Sequence, residues 1–350
     1  MAAHVLAVMN QKGGVGKTTT TASIGSLLAS EHDRRVLLID LDPQGHLSDH
    51  FGVDPNAVEA SVYNVLLEDA DARALLRSVH GLDLLPANID LSGAEIELAG
   101  MASRELRLRS AILPLLDDYD FVLMDCPPDL GLLTVSGLAL AHGVVVPMQA
   151  EYLALRGLSQ LVQTVEVVKT RLNPGLAVAA VVFCMYSPQT NLARDVRAEV
   201  ERYFPGKVCR TAIRKNVRLA EAPSHGLPIN LYDPTCSGAV DYRAATLELL
   251  ERFLAPGSMG SSEAVDDMAV PVAVSIEPST PEGAKVLPGG QPSPESLMAH
   301  GSDRRLGRGA DDWRRRPIWR ADSSPELEAL PLPDVEKGKK EGDKCLKLRL

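Results

Sequence analysis

The run Asn10-Gln11-Lys12-Gly13-Gly14-Val15-Gly16-Lys17-Thr18-Thr19 constrains this chain more than any other stretch. Before it lies His4-Val5-Leu6-Ala7-Val8-Met9, apolar and of the length of a buried strand. After it, from Thr20 to about Ser30, Ala, Ile, Leu and Ser recur at helical spacing with no proline. A strand, a glycine-rich turn and a helix in that order build a phosphate cradle. Backbone N–H groups of the turn and the positive end of the helix face one point, where an anion is held. The glycines let a polyphosphate approach the backbone. Lys17 adds charge for the β- and γ-phosphates, and the Thr18 hydroxyl is placed to ligate Mg²⁺. Gly13, Gly14, Val15, Gly16, Lys17, Thr18 and Thr19 are therefore the candidate nucleotide-binding residues.

The spelling is unusual. The common P-loop pattern has a glycine five residues before Gly16, where this chain has Gln11. It carries instead a second lysine, Lys12, at the start of the turn.

The other strands follow the same logic. Val36-Leu37-Leu38-Ile39-Asp40, Phe121-Val122-Leu123-Met124-Asp125 and Gly143-Val144-Val145-Val146-Pro147 are apolar runs suited to fully buried parallel strands. Leu82 to Pro86 and Leu176 to Met185 add two more. Helical period marks Ser61 to about Leu67, Asp71 to Val79, Leu91 to Leu116, Leu158 to Leu172, Asn191 to Phe204 and Ala239 to Leu254. Pro228-Ile229-Asn230-Leu231 reads as extended. Strands alternating with helices predict an α/β fold, a mostly parallel twisted sheet flanked by helices on both faces. Ligands of such sheets bind at the C-terminal ends of the strands. The glycine-rich loop, Asp40/Asp42 and Asp125 all follow strands and converge there.

Composition changes near Ala255. From there to Leu350 lie about half of the prolines, many Gly and Ser, and no Tyr or Phe. Such a segment buries too little apolar surface to offset chain entropy, so 1–254 reads as the folded domain and 255–350 as a disordered tail. Within it Arg314-Arg315-Arg316 lies between Trp313 and Trp319, and the end from Lys337 is basic. The net charge of −10 argues against a protein coated in positive charge, so nucleic-acid contact requires a local patch. Lys207, Arg210, Arg214, Lys215 and Arg218 supply one, with no acid until Glu221. The five cysteines form no C-x-x-C pair and read as reduced thiols. No signal peptide or membrane-length apolar run is present, which reads as a soluble intracellular protein.

Asp125, closing an apolar strand, has the Walker B arrangement and would hold Mg²⁺ through a water. Asp40 and Asp42 lie two residues apart. One division puts Asp40 near the Mg²⁺ shell and has Asp42 position the attacking water. The other makes Asp42 a carboxylate that caps the Pro43 turn. Lys12, Lys17 and Asp42 are the candidate catalytic residues; Thr18, Asp40 and Asp125 are the candidate metal ligands.

The Lys12–Thr19 spelling resembles the deviant Walker A motif of the ParA/MinD ATPases. Further blocks narrow the likeness: Asp40-Leu-Asp-Pro-Gln-Gly45, Leu91-Ser-Gly-Ala-Glu-Ile-Glu-Leu98, Asp125-Cys-Pro-Pro128, Glu151-Tyr-Leu-Ala-Leu155 and Asn216-Val-Arg-Leu-Ala-Glu-Ala-Pro-Ser-His-Gly226. Together they are similar to Soj-type ParA partition ATPases over about residues 1–254. The resemblance implies ATP and Mg²⁺ as cofactors and an ATP-sandwich homodimer in which Lys12 reaches the partner's phosphates. It assigns hydrolysis to Asp42 and nucleotide sensing to the segment after Asp125. It further implies a slow ATPase in the cytoplasm and on the nucleoid, binding double-stranded DNA without sequence preference and stimulated by a ParB-like partner. Arg218 becomes the leading DNA contact, with Arg214, Lys215 and Arg210 beside it.

Two departures stand out. Ile213-Arg214-Lys215-Asn216 replaces a common Ile-Pro-Arg-Asn, and Gln189 stands where a basic residue is usual. A MinD-like ATPase acting on a membrane or a protein-cluster cargo is the competing class. Cys345–Leu350 is too short to give it a stable membrane anchor. Bacterial tyrosine kinases and nitrogenase-type reductases share the loop spelling. Here, however, the last tyrosine is Tyr242, and only Cys126 is suitably placed for a bridging cluster.

Overall fold

The computed structural model describes residues 3–152 and 154–254. The expectations for 255–350, including disorder, the Arg314–Arg316 cluster and the basic end, lie outside the described residues. Strands β1 (His4–Val8), β2 (Val36–Asp40), β3 (Arg77–Val79), β4 (Leu82–Leu85), β5 (Phe121–Asp125), β6 (Gly143–Met148) and β7 (Ala177–Phe183) form one sheet. Their order is β3-β4-β2-β5-β1-β6-β7, parallel throughout except for β3 against β4.

The central strands are continuous apolar runs because both faces are covered. Their alternation still sorts the side chains. Val5, Ala7, Leu37, Ile39, Val122 and Met124 face one core; Leu6, Val8, Val36, Leu38, Phe121 and Leu123 face the other. The first core is closed by α3 (Val62–Leu67), α5 (Leu91–Leu98), α6 (Arg107–Ile112), α7 (Leu132–Leu140), α8 (Ala154–Arg171) and α9 (Asn191–Tyr203). The second is closed by α1 (Lys17–His32), α2 (His46–His50), α11 (Ile229–Tyr232) and α12 (Ser237–Leu254). Short α4 (Ala72–Leu75) and α10 (Arg218–Glu221) complete the set. A hydrogen bond of 2.9 Å between the Thr20 and Tyr242 hydroxyls ties α1 to α12. Cys126, Cys184, Cys209 and Cys236 are free, in keeping with reduced thiols.

Three local expectations are corrected. The helix expected over Asp71–Val79 ends at Leu75, and Arg77–Val79 is the antiparallel edge strand β3. The tight turn His80-Gly81, both residues at positive φ, folds it back on β4 and overrides the helical spacing. Leu91–Leu116 is not one helix. It breaks after Leu98 at Gly100 and the left-handed Ser103, resumes as α6, and tightens into a 3₁₀ turn around Pro114. Pro228 is extended but serves as the N-cap of α11, so Ile229–Leu231 is helical.

Candidate functional site

β1 delivers the chain to the loop, and α1 begins at Lys17. Gly14 and Gly16 have φ of 70° and 96°, which L side chains rarely adopt, so the turn needs glycine there. Gly16 is the N-cap of α1 and offers no capping side chain. Among the described residues no acceptor takes the N–H groups of Gly13 through Gly16. Those donors and the helix dipole therefore point at a common spot, the geometry that holds an anion. Lys17 is only 8% exposed, so its charge is concentrated at that spot.

The spot opens into a cleft of about 690 Å³ at the C-terminal end of the sheet. Gly13, Gly14, Gly16, Lys17, Thr18 and Thr19 line one side. Asp42, Pro43, Gln44 and His46 line the loop after β2, and Pro127, Pro128 and Asp129 the loop after β5. Leu91, Ser92 and Glu95 of α5 close the far wall.

The carboxylates separate by depth. β5 pairs with β2 so that Asp40 lies opposite Asp125, and with β1 so that Val8 does. Both carboxylates are buried. Asp125 accepts the Thr21 hydroxyl at 3.3 Å. Burial, then the nearby Asp40 charge, drives its pKa up toward neutrality, while the Thr18 hydroxyl and Lys17 pull it back. Burial also raises Asp40, opposed by its bonds from Ser48. Those bonds are 2.9 Å from the Ser48 N–H and 2.8 Å from its hydroxyl, and the Asp42 N–H adds a third. Both Asp40 oxygens are thus used by the protein, and the residue lies behind the cleft rather than in it. Asp42, 9% exposed, is in the cleft wall. Its Oδ1 accepts the Gln44 N–H at 3.0 Å, the turn-capping role. Among the described residues no donor takes Oδ2. The two readings of Asp42 are therefore compatible, one oxygen for each.

Lys12 does not line the cleft of its own chain. Its Nζ reaches Glu151 Oε2 at 2.6 Å and Gln149 Oε1 at 3.1 Å, while Gln149 Nε2 donates to the Gly14 carbonyl at 3.1 Å.

The basic strip lies against α12, and much of its charge is already paired. Arg214 meets Asp241 at 2.7 Å, and Arg218 meets Glu221 at 2.7 Å and Asp233 at 3.6 Å. Arg210 meets Glu248 at 3.6 Å. The same α12 carboxylates accept the backbone N–H groups of Arg210, Thr211 and Arg214, anchoring the strip. Lys207 and Lys215 have no ion pair among the described residues. The sequence showed the cations but not these counter-ions, because Asp241 and Glu248 lie 27 and 38 residues further along. Ser48, Thr21 and Glu95 were likewise missed; only Glu95 fell within a quoted block, and its spacing gave no sign of a role.

Comparison with known proteins gives a consistent picture. A family model described as an AAA domain matches residues 3–178. The sporulation initiation inhibitor protein Soj of Bacillus subtilis is 47% identical over 255 residues, which cover 72% of this chain and 99% of that protein. The chromosome-partitioning ATPase Soj of Treponema pallidum is 46% identical over 249 residues, 71% of this chain and 97% of its own. The structure named cobyrinic acid a,c-diamide synthase from Mycobacterium smegmatis, with bound ATP analogue and magnesium, matches with a TM-score of 0.64 at 41% identity. That match covers 73% of this chain and 98% of that one.

Proposed function

The chain belongs to the Soj/ParA family of partition ATPases, and from that premise we propose that residues 1–254 bind ATP with Mg²⁺, dimerise around it and hold double-stranded DNA. In this reading a ParB-like partner stimulates a slow hydrolysis that ends the DNA-bound state, and the protein works on the nucleoid. The carrying observation is the cleft in which the glycine-rich loop and Asp42 face one another, with Asp125 buried at the strand end.

The donor set suits Mg²⁺. Asp125 and Asp40 form a buried pair of carboxylates with no ion pair among the described residues, beside the Thr18 hydroxyl. Mg²⁺ keeps several waters and takes one or two carboxylates plus substrate phosphates. That accords with the lack of a three-ligand His/Cys/Asp/Glu cluster among the described residues. Thr18 and Asp125 would hold the ion, with Asp40 orienting the Asp42 loop from behind. When bound, Mg²⁺ neutralises phosphate charge.

Phosphoryl transfer asks the protein for position and charge rather than covalent chemistry. The loop N–H groups and Lys17 bind the phosphates. Asp42 Oδ2 takes a hydrogen bond from the attacking water, whose oxygen bonds to the γ-phosphorus as the bond to the bridging oxygen breaks. The electron pair leaves on that oxygen as ADP, and the water's proton passes to the released phosphate. Lys12, held by Glu151 outside its own cleft, serves the partner's phosphates once two chains meet. Lys215 and Arg218 lead the DNA contacts, flanked by Arg210 and Arg214.

The test uses the full chain with Mg²⁺ and ATP. Hydrolysis is expected to rise with double-stranded DNA, and a non-hydrolysable analogue is expected to shift sedimentation from monomer to dimer. Arg218→Glu should lose DNA binding and keep the dimer. If that variant bound DNA like the parent in low salt, the patch assignment would fail. ATP-dependent flotation with anionic liposomes would favour the MinD-like alternative. Among the described residues no helix is long and apolar enough to cross a membrane. Turnover that required a corrinoid carboxylate and an amide donor would favour the reaction for which the structural neighbour is named.

A further inference from the structure

We propose that Glu95 is a positioning residue for hydrolysis: from α5 it caps the N-terminus of α7 and so fixes the segment Cys126–Gly131 at the wall of the cleft. The proposal rests on the ATPase reading above. β5 ends at Asp125 and α7 begins at Leu132, so the position of the connecting segment depends on how its two ends are held. The near end is set by the sheet. At the far end, the α7 N-cap residue is Gly131, which supplies no capping side chain. Helices usually fill that place with Ser, Thr, Asp or Asn, because the first N–H groups have no partner within the helix.

Here the acceptor comes from another element. Glu95 Oε1 takes the Leu133 N–H at 3.2 Å, which also brings a negative charge to the positive end of α7. The fit is close. A Cβ built on Gly131 would run into the Glu95 carboxylate and lie 2.8 Å from Asp129 Oδ1. Glycine at 131 and glutamate at 95 are thus two halves of one contact. Asp129 secures the same corner, its Oδ1 accepting the Gly131 N–H at 2.9 Å and its carbonyl accepting the Thr134 hydroxyl at 2.9 Å.

Glu95, Pro127, Pro128 and Asp129 line the cleft together with the glycine-rich loop. Losing Glu95 would leave every phosphate-binding group in place while removing one of the two residues that hold the far end of the segment, the one that ties it to α5. It follows that Glu95 acts on turnover and not on nucleotide affinity. Its charge would repel polyphosphate if it turned into the cleft, and the bond to α7 directs it away.

The experiment measures steady-state ATP hydrolysis of the full chain with Mg²⁺ and DNA, equilibrium binding of a fluorescent ATP analogue, thermal melting, and hydrogen exchange of residues 126–134. Glu95→Ala is expected to lower kcat by about tenfold, the size of a lost N-cap expressed as a rate. KM and analogue binding should stay within about twofold, and exchange over 126–134 should rise. Glu95→Gln keeps an oxygen that accepts the same N–H and should restore most of kcat. Gly131→Ala should be damaging alone and markedly less so in the Glu95→Ala background. An unchanged kcat in Glu95→Ala, a lowered Tm with unchanged turnover, or a Gln variant as impaired as Ala would overturn the proposal. If the parent fails to bind the analogue, the ATPase reading falls, and exchange of 126–134 still decides whether Glu95 caps α7.

Discussion

At the C-terminal end of the sheet, Asp40 and Asp125 lie side by side with no ion pair to either among the described residues, whereas along the basic strip Arg210, Arg214 and Arg218 each meet a carboxylate. The contrast is one of pairing. Buried charges without counter-ions are costly, so the cleft carries a deficit that a cation relieves. The pairs on the strip join exposed guanidinium groups to carboxylates of which Asp241 and Glu248 are buried, so two of them satisfy a buried charge. They also reduce the field that a phosphate backbone would meet. The cleft is therefore built to gain from its ligand, while the strip must draw on Lys207 and Lys215 or give up existing pairs.

The largest effect should come from removing the one lysine or arginine that is buried among the described residues. Lys17→Ala is expected to weaken nucleotide binding at least about a hundredfold by calorimetry, as loss of a charge-assisted phosphate contact in a water-poor site implies. Binding kept within tenfold would mean that the loop N–H groups suffice alone. Asp42→Ala should come next, with kcat down about a hundredfold and nucleotide affinity within about threefold. Loss of affinity in step with kcat would reduce Asp42 to its turn-capping bond with Gln44.

A smaller effect concerns the unpaired carboxylates themselves. Burial and Asp40 raise Asp125 from 3.8 to about 8, and burial raises Asp40 from 3.8 to about 7. Both native values exceed the unfolded ones, so between those limits the folded chain without ligand holds more protons than the unfolded chain. Its stability from this source falls as pH rises through that window. Urea melts at about pH 5 and pH 8 should show the parent losing roughly 1–2 kcal/mol more than Asp125→Asn across the interval. Subtracting the two variants cancels His4, His50 and His142, which burial lowers. Equal slopes would mean that the pair is already compensated within the chain.

The smallest effects should separate the cations of the strip. Lys215→Glu is expected to weaken DNA binding about five- to tenfold in low salt and to reduce the salt slope by about 1. Arg210→Gln, removing a charge that Glu248 and Glu251 already face, should change affinity less than about twofold. The reverse order would show that DNA displaces the α12 carboxylates.

Much of the fold was legible because buried parallel strands write themselves as unbroken apolar runs, as in Val36–Asp40 and Phe121–Asp125. The edge strand Arg77–Val79 was not. Its residues are partly exposed and carry helical spacing, and only the His80-Gly81 turn and its pairing with Leu82–Leu84 reveal it. In the site, Lys17, Thr18 and Asp42 meet in one cleft, with Asp125 buried behind Thr18, as strand ends of a parallel sheet should. The sequence offered Asp40 as a metal ligand, and the fold places it behind the cleft instead. Ser48, eight residues on, occupies its Oδ2, and the Asp42 N–H takes its Oδ1.

The sequence by itself determined the phosphate cradle, because everything it needs is consecutive: an apolar strand, glycines at the two positive-φ positions, Lys17, and a helix that starts at once. Tertiary structure alone decided which charges are free to act. Lys12 is held by Glu151 from 139 residues away, Arg214 by Asp241, and α7 is capped by Glu95. A backbone conformation is chosen by neighbours in the chain, but a counter-ion is chosen by neighbours in space, and electrostatic energy depends only on the second.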